Sequence, residues 1–195
     1  MTKKVGILGG SFNPAHKGHI YISKEALKRL GLDEIWWIVS PQNPLKSKDN
    51  MSDYKKRVEY AKALIHSTPA TSQIKISEFE KENGLIYTYD TLRKLKQKYP
   101  KYKFVWIMGA ENLGSFHKWR NWREIFYTVP IAVFERRYIL ERYSALHSKT
   151  AIFFRKYRIP HTKNILRKKA PTWIYFPIKS HEASATDIRK KDGLL

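Results

Sequence analysis

The chain has no cysteine, few acidic residues and no long apolar run, and each shortage removes a class of protein. Zero cysteines exclude a disulfide framework, thiolate zinc ligands and a cysteine nucleophile. No apolar stretch approaches the roughly 18–20 residues that a bilayer-crossing helix needs. The opening MTKKVGIL lacks the apolar core and small-residue cleavage site of a secretory signal. The expectation is a cytoplasmic protein that meets no membrane. Only 17 acids stand against 38 lysines and arginines, a formal charge of +21, and the pI is near 10.0. Such an excess suits anionic partners: nucleic acid, a membrane surface or small phosphorylated molecules. A lysine-rich surface with no dedicated ligand produces the same balance, so charge alone selects nothing.

What is present is a globular composition, 42% apolar and 14% aromatic over 195 residues, which suits one compact domain over residues 1–195. KVGILGG (4–10) reads as a short buried strand entering a glycine turn. Ile20, Ser23, Leu27 and Leu30 then make the stripe of an amphipathic helix that Gly31 stops. EIWWIVSP (34–41) is a second strand, apolar on both faces as a covered parallel sheet requires. Strand, helix and strand in succession form a βαβ unit. Tyr54, Val58, Ala61 and Ile65 set a second helix with Ser52 as its cap, and residues 73–77 a short strand. Thr88, Leu92, Leu95 and Tyr99 set a third helix, stopped by Pro100. KFVWIMGA (103–110), VPIAVFE and TWIYFP read as strands, and Trp119, Trp122 and Phe126 as one face of a further short helix. The alternation predicts an α/β fold: a doubly wound, Rossmann-like parallel sheet with helices on both faces. Residues 136–169 differ, with eleven Lys/Arg against the single acid Glu141; this basic segment reads as mainly helical and surface-exposed.

The stretch GGSFNPAHKGH (9–19) gathers glycines, a proline and two histidines just past the first strand. In an open parallel sheet the binding crevice lies beyond the C-terminal strand ends. Glycines let backbone approach a ligand closely, Pro14 stiffens the turn, and a helix starting near Gly18 offers N–H groups and a positive dipole end to an anion. His16 and His19, three apart, can both donate to phosphate oxygens. The stretch fits neither G-x-G-x-x-G nor G-x-x-x-x-G-K-[ST]. Two histidines at this spacing can also ligate a metal, but a third ligand is not evident nearby.

The stretch 9–19 resembles the H-x-G-H signature of the nucleotidyltransferase superfamily. Four further stretches are similar to the bacterial nicotinate-nucleotide adenylyltransferases within it: SPQNPLK (40–46), YTYDTL (87–92), MGAENLGSFHKWRNW (108–122) and SATDIR (184–189). Their order covers almost the whole chain, with residues 136–169 matching weakly. The resemblance implies a direct, in-line attack of the phosphate of nicotinate mononucleotide on the α-phosphorus of ATP. That step gives nicotinate adenine dinucleotide and pyrophosphate, in NAD biosynthesis. It implies catalytic roles for His16, His19, Lys46 and Arg189, and ATP contacts from Gly9, Gly10, Ser11, Phe12, Gly109, Glu111, Ser184 and Thr186 as well as from His16, His19 and Arg189. It implies that Asn43, Tyr87, Thr88 and Trp119 bind the nicotinate nucleotide, with Trp119 stacked on the pyridine ring and Trp122 left to packing. Mg²⁺ is expected on the substrate phosphates, with no protein cage. Three positions depart from the family pattern: Leu45 replaces a histidine, Glu111 an aspartate and Ala185 a serine.

Two other readings stay open at the level of sequence. One keeps the superfamily and changes the phosphorylated acceptor; the other is a basic RNA-binding protein, for which no recognition module is readable. Nothing in the pattern decides between a monomer and a homo-oligomer.

Overall fold

The computed structural model describes residues 2–42, 51–135, 139–160 and 164–177. Among them, six parallel strands form one sheet: β1 (Lys4–Gly10), β2 (Glu34–Val39), β3 (Ile74–Ser77), β4 (Lys103–Gly109), β5 (Ile131–Phe134) and β6 (Trp173–Phe176). Their spatial order is β3-β2-β1-β4-β5-β6, the doubly wound arrangement expected from the alternation. The helices in chain order are α1 (Lys17–Leu30), α2 (Tyr54–Ser67), α3 (Phe79–Glu82), α4 (Thr88–Lys98), α5 (Ala110–Ser115), α6 (Trp122–Thr128), α7 (Ile139–Leu146) and α8 (Lys149–Phe153).

Period-two alternation sends each strand's side chains into two cores. Val5 and Ile7 of β1 join Phe104, Trp106 and Met108 of β4 under α4, α5, α6 and α8. On the other face, Leu8, Val105 and Ile107 pack with Ile20, Ile22 and Ala26 of α1 and Val58 and Ala61 of α2. The strand order reverses between β1 and β4, and there the connections leave toward opposite faces and open a crevice. Register brings the C-terminal ends level: Gly10 pairs with Val39, Gly109 with Phe134 and Phe134 with Phe176. Strands β1, β2, β4, β5 and β6 therefore end at one rim.

Several local expectations hold for local reasons. Gly31 takes the left-handed conformation (φ 60°, ψ 48°) that ends α1, and its N–H donates to the Leu27 carbonyl at 3.1 Å. The helix after Tyr54 is capped by Asp53 instead of Ser52. The Asp53 carboxylate accepts from Lys55 N at 2.9 Å and Lys56 N at 3.3 Å, while Ser52 N donates to Asn13 Oδ1 at 3.2 Å and ties two rim turns together. Trp119 does not share a helix with Trp122 and Phe126. It caps the short turn Phe116–Lys118 in an extended conformation, and Asn121 turns left-handed (φ 52°) before α6 begins. The short helices α3 and α5 carry too little periodicity to be read from sequence.

The basic segment is less superficial than its charge implies. Phe154, just past α8, is fully buried and stacks on Phe126 with ring centroids 4.0 Å apart. Its carbonyl accepts from Trp173 Nε1 at 2.8 Å. Ala151 and Ile165 are buried as well. Cationic side chains surround these anchors, so the charge lies on one side of a segment that the core holds on the other.

A Cβ on Gly9 would collide with Cη2 at the edge of the six-membered ring of Trp106, a side chain only 2% exposed. Gly9→Ala is expected to destabilise the protein by about 1–3 kcal/mol in urea unfolding, the usual effect of overpacking a tight core.

Candidate active site

The site begins with two reciprocal hydrogen bonds at the mouth of α1. His16 is the N-cap in extended backbone (φ −150°, ψ 168°), and its Nδ1 accepts from Gly18 N at 3.1 Å. The His16 N–H in turn donates to His19 Nδ1 at 3.2 Å. A capping box ordinarily uses a hydroxyl or amide at one end and a Glu or Gln at the other; here imidazoles serve at both. A ring nitrogen that accepts a backbone N–H carries no hydrogen, so in each neutral histidine the proton sits on Nε2. The ring centroids are 3.8 Å apart, so the two rings stand together at a helix N-terminus.

The aromatic surroundings fix this pair. Phe12 adopts φ 46°, lies 4.9 Å from the His19 ring and stacks on Trp37 at 4.9 Å. Trp37 Nε1 donates to Ser23 Oγ of α1 at 2.8 Å, so β2 and α1 are locked beneath the histidines. Ser11 is buried, and its Oγ has no hydrogen-bond partner among the described residues.

Other residues singled out from the sequence arrive from neighbouring strands. Gly9 underlies Trp106, and Trp119 meets Trp106 edge-on at 6.1 Å. Trp119 is half-buried and stacks on Phe116 at 4.6 Å. Gly109 ends β4, with the Glu111 carboxylate folded against its Cα and Asn112 Nδ2 donating to Glu111 Oε1 at 3.1 Å. Tyr87 and Thr88 begin α4, and Tyr87 gives that N-terminus no side-chain cap. Asn43, Leu45, Lys46, Ser184, Ala185, Thr186 and Arg189 lie outside the described residues.

Three groups were not legible as site residues. Arg120 lies over the Tyr87 ring at 4.5 Å, which joins the stretch bearing Trp119 to the start of α4. Arg57 is buried at the start of α2, where burial pulls its guanidinium below the usual arginine range. Glu80 of α3 is 4% exposed. One of its oxygens accepts from Thr91 Oγ1 of α4 at 2.9 Å, and the other has no partner among the described residues. Burial, opposed by the Thr91 bond, pushes its carboxyl up to about 7. Periodicity marks none of these, because each depends on what the fold brings around it.

Fold and site together define a cytidylyltransferase-like protein, and the family model of that description matches residues 7–191. The "Probable nicotinate-nucleotide adenylyltransferase" of Agrobacterium fabrum is 44% identical over 187 residues, covering 95% of this chain and 97% of the relative. Its namesake from Ruegeria sp. is 41% identical, covering 96% of each chain. A solved structure titled as Plasmodium falciparum nicotinic acid mononucleotide adenylyltransferase complexed with NaAD shares the fold. Its TM-score is 0.71 at 21% identity, over 96% of this chain and 83% of that one. The chain belongs to the cytidylyltransferase-like family and, within it, to the nicotinate-nucleotide adenylyltransferases.

An acid with a raised folded pKa keeps its proton after the unfolded chain has lost it, so the folded state loses stability as pH rises from 4.5 to about 7. Glu80→Gln retains an acceptor for Thr91 and removes this titration. In urea unfolding the variant is expected to match wild type near pH 4.5 and to exceed it by up to about 3 kcal/mol at pH 8.

Proposed function

We propose that this protein joins ATP to nicotinate mononucleotide, giving nicotinate adenine dinucleotide and pyrophosphate, with His16 and His19 as the donors that receive the triphosphate. The observation that carries the reading is the pair of Nδ1-accepting imidazoles at the α1 mouth, since it supplies two fixed donors where a helix already favours negative charge. A phosphate oxygen of the mononucleotide attacks the α-phosphorus, the bond from that phosphorus to the bridging oxygen breaks, and pyrophosphate leaves without a covalent enzyme intermediate. The protein's part in such chemistry is alignment and charge stabilisation. Gly9, Gly10, Ser11 and Phe12 line the turn that approaches the phosphates, and Gly109 and Glu111 are assigned to adenosine. Lys46, Ser184, Thr186 and Arg189 are assigned to the phosphates, and Asn43 to the mononucleotide, on motif alone.

The second substrate is assigned to Trp119, Tyr87 and Thr88. The Trp119 ring offers a stacking face for the pyridine, and the uncapped start of α4 suits its carboxylate. Mg²⁺ is assigned to the triphosphate. An imidazole whose Nδ1 accepts a hydrogen bond and whose Nε2 is protonated offers no lone pair to a metal, so these histidines fit phosphate donation and not ligation. A bound divalent ion would neutralise charge on the leaving pyrophosphate. The cytoplasm is the proposed compartment, on the zero cysteine count and the ATP-dependent reaction. Among the described residues no helix is long and apolar enough to cross a membrane.

The deciding measurement is pyrophosphate release by the purified protein with ATP and each acceptor in turn. Nicotinate mononucleotide should be used and nicotinamide mononucleotide strongly disfavoured; equal use of both would remove the carboxylate assignment. His16→Asn preserves an N-cap acceptor for Gly18 and lacks the Nε2 donor. It is expected to melt near the wild-type temperature while kcat falls about 10²–10³-fold, read by calorimetry and steady-state turnover on the same preparation.

A further inference from the structure

The start of α2 reads YKKR (54–57), three successive cations of the kind that are mostly exposed. Lys55 and Lys56 are exposed, yet the guanidinium beside them is turned inward, with Arg57 only 2% exposed. Nη1 donates to the Ser11 carbonyl and, at 2.9 Å, to the Ser40 carbonyl. Nη2 donates to the Pro41 carbonyl at 3.2 Å, and Nε to the Ser52 carbonyl at 3.0 Å. The Tyr54 ring lies 5.3 Å away. A buried arginine usually meets a carboxylate; among the described residues this one is hydrogen-bonded to neutral carbonyl oxygens. They come from three places: the turn after β1, the end of β2 and the residue just before the Asp53 cap.

We infer that Arg57 is a positioning residue for adenylyl transfer, whose buried guanidinium draws the Ser11, Ser40, Pro41 and Ser52 carbonyls together and so sets the phosphate turn against the end of β2. The inference rests on the adenylyl-transfer reading and deepens it. A trans peptide holds its carbonyl and the following N–H on opposite sides, and the Ser11–Phe12 bond is trans. Drawing the Ser11 carbonyl toward Arg57 therefore turns the Phe12 N–H the other way. Carbonyl dipoles that would repel an incoming triphosphate are held to the rear. The same turn runs on to His16, so its placement also fixes where the paired imidazoles begin. A planar fork with five N–H donors can serve carbonyls in several directions, whereas an ammonium gathers its three donors on one atom.

The test compares wild type, Arg57→Lys and Arg57→Ala in pyrophosphate release at saturating ATP, well below each melting temperature and normalised to folded protein. Loosening the turn should lower kcat in Arg57→Lys about 100-fold while the KM for nicotinate mononucleotide stays near wild type. Amide exchange should quicken at residues 10–16 and 40–42 and stay unchanged in β4 and β5. Added guanidinium ion should restore part of the turnover of Arg57→Ala; should that variant fail to fold, Arg57→Lys decides. Wild-type kcat per folded molecule in Arg57→Lys, or exchange that rises uniformly across the sheet, would overturn the inference while leaving the adenylyl-transfer reading intact. A wild-type protein that releases no pyrophosphate overturns both.

Discussion

The site depends on the reciprocal hydrogen bonds between two imidazoles and the backbone that opens α1. Helix N-termini leave N–H groups unpaired, and a side-chain acceptor at the cap is the usual remedy. In this chain the remedy also sets chemistry. With Nδ1 of His16 and of His19 committed to Gly18 N and His16 N, the rings cannot rotate freely and the proton of each neutral ring sits on Nε2. Helix capping, tautomer and donor direction become one arrangement, and disturbing any part disturbs the others.

That arrangement is useful only because the sheet delivers other groups to the same level. β1 ends beneath the histidines, and β4 ends beside it with Gly109 and Glu111. Trp106 forms the floor: it closes on Gly9 from one side and meets Trp119 on the other. A Cβ added at that glycine would collide with this floor. Arg120 over Tyr87 links the remaining wall to the same frame.

The distribution of charge follows the same logic. A net charge of +21 is tolerable because most cations among the described residues are solvated, with repulsion beyond a Debye length screened by salt. Arg57 is drawn inward and faces backbone carbonyls, while Arg142 stays exposed and reaches buried Glu135 with two donors at 3.0 and 2.8 Å. Glu80 is the converse case, a buried acid with one oxygen unpartnered among the described residues, and it yields by holding its proton nearer neutrality. The basic stretch that resembled a solvated appendage is attached through Phe154 stacked on Phe126.

What the sequence determined by itself was whatever depends on neighbours in the chain. Continuous apolar runs marked every strand but the alternating β3, and the order of strands and helices implied a doubly wound sheet. Gly31 stops α1 because only local backbone freedom is at stake, and the glycine turn at 9–19 leading from a strand into a helix was legible because glycine and proline act on the backbone beside them. Tertiary structure decided the rest. Trp119 leaves the helix of Trp122 because Asn121 turns left-handed, which periodicity cannot register. Asp53 takes the cap from Ser52, whose N–H is engaged by Asn13 across the rim. Arg57 and Glu80 look like surface charges in their own segments. Their burial comes from groups up to 46 positions away in the chain, and a side chain's environment, unlike its propensity, exists only once those distant pieces have met.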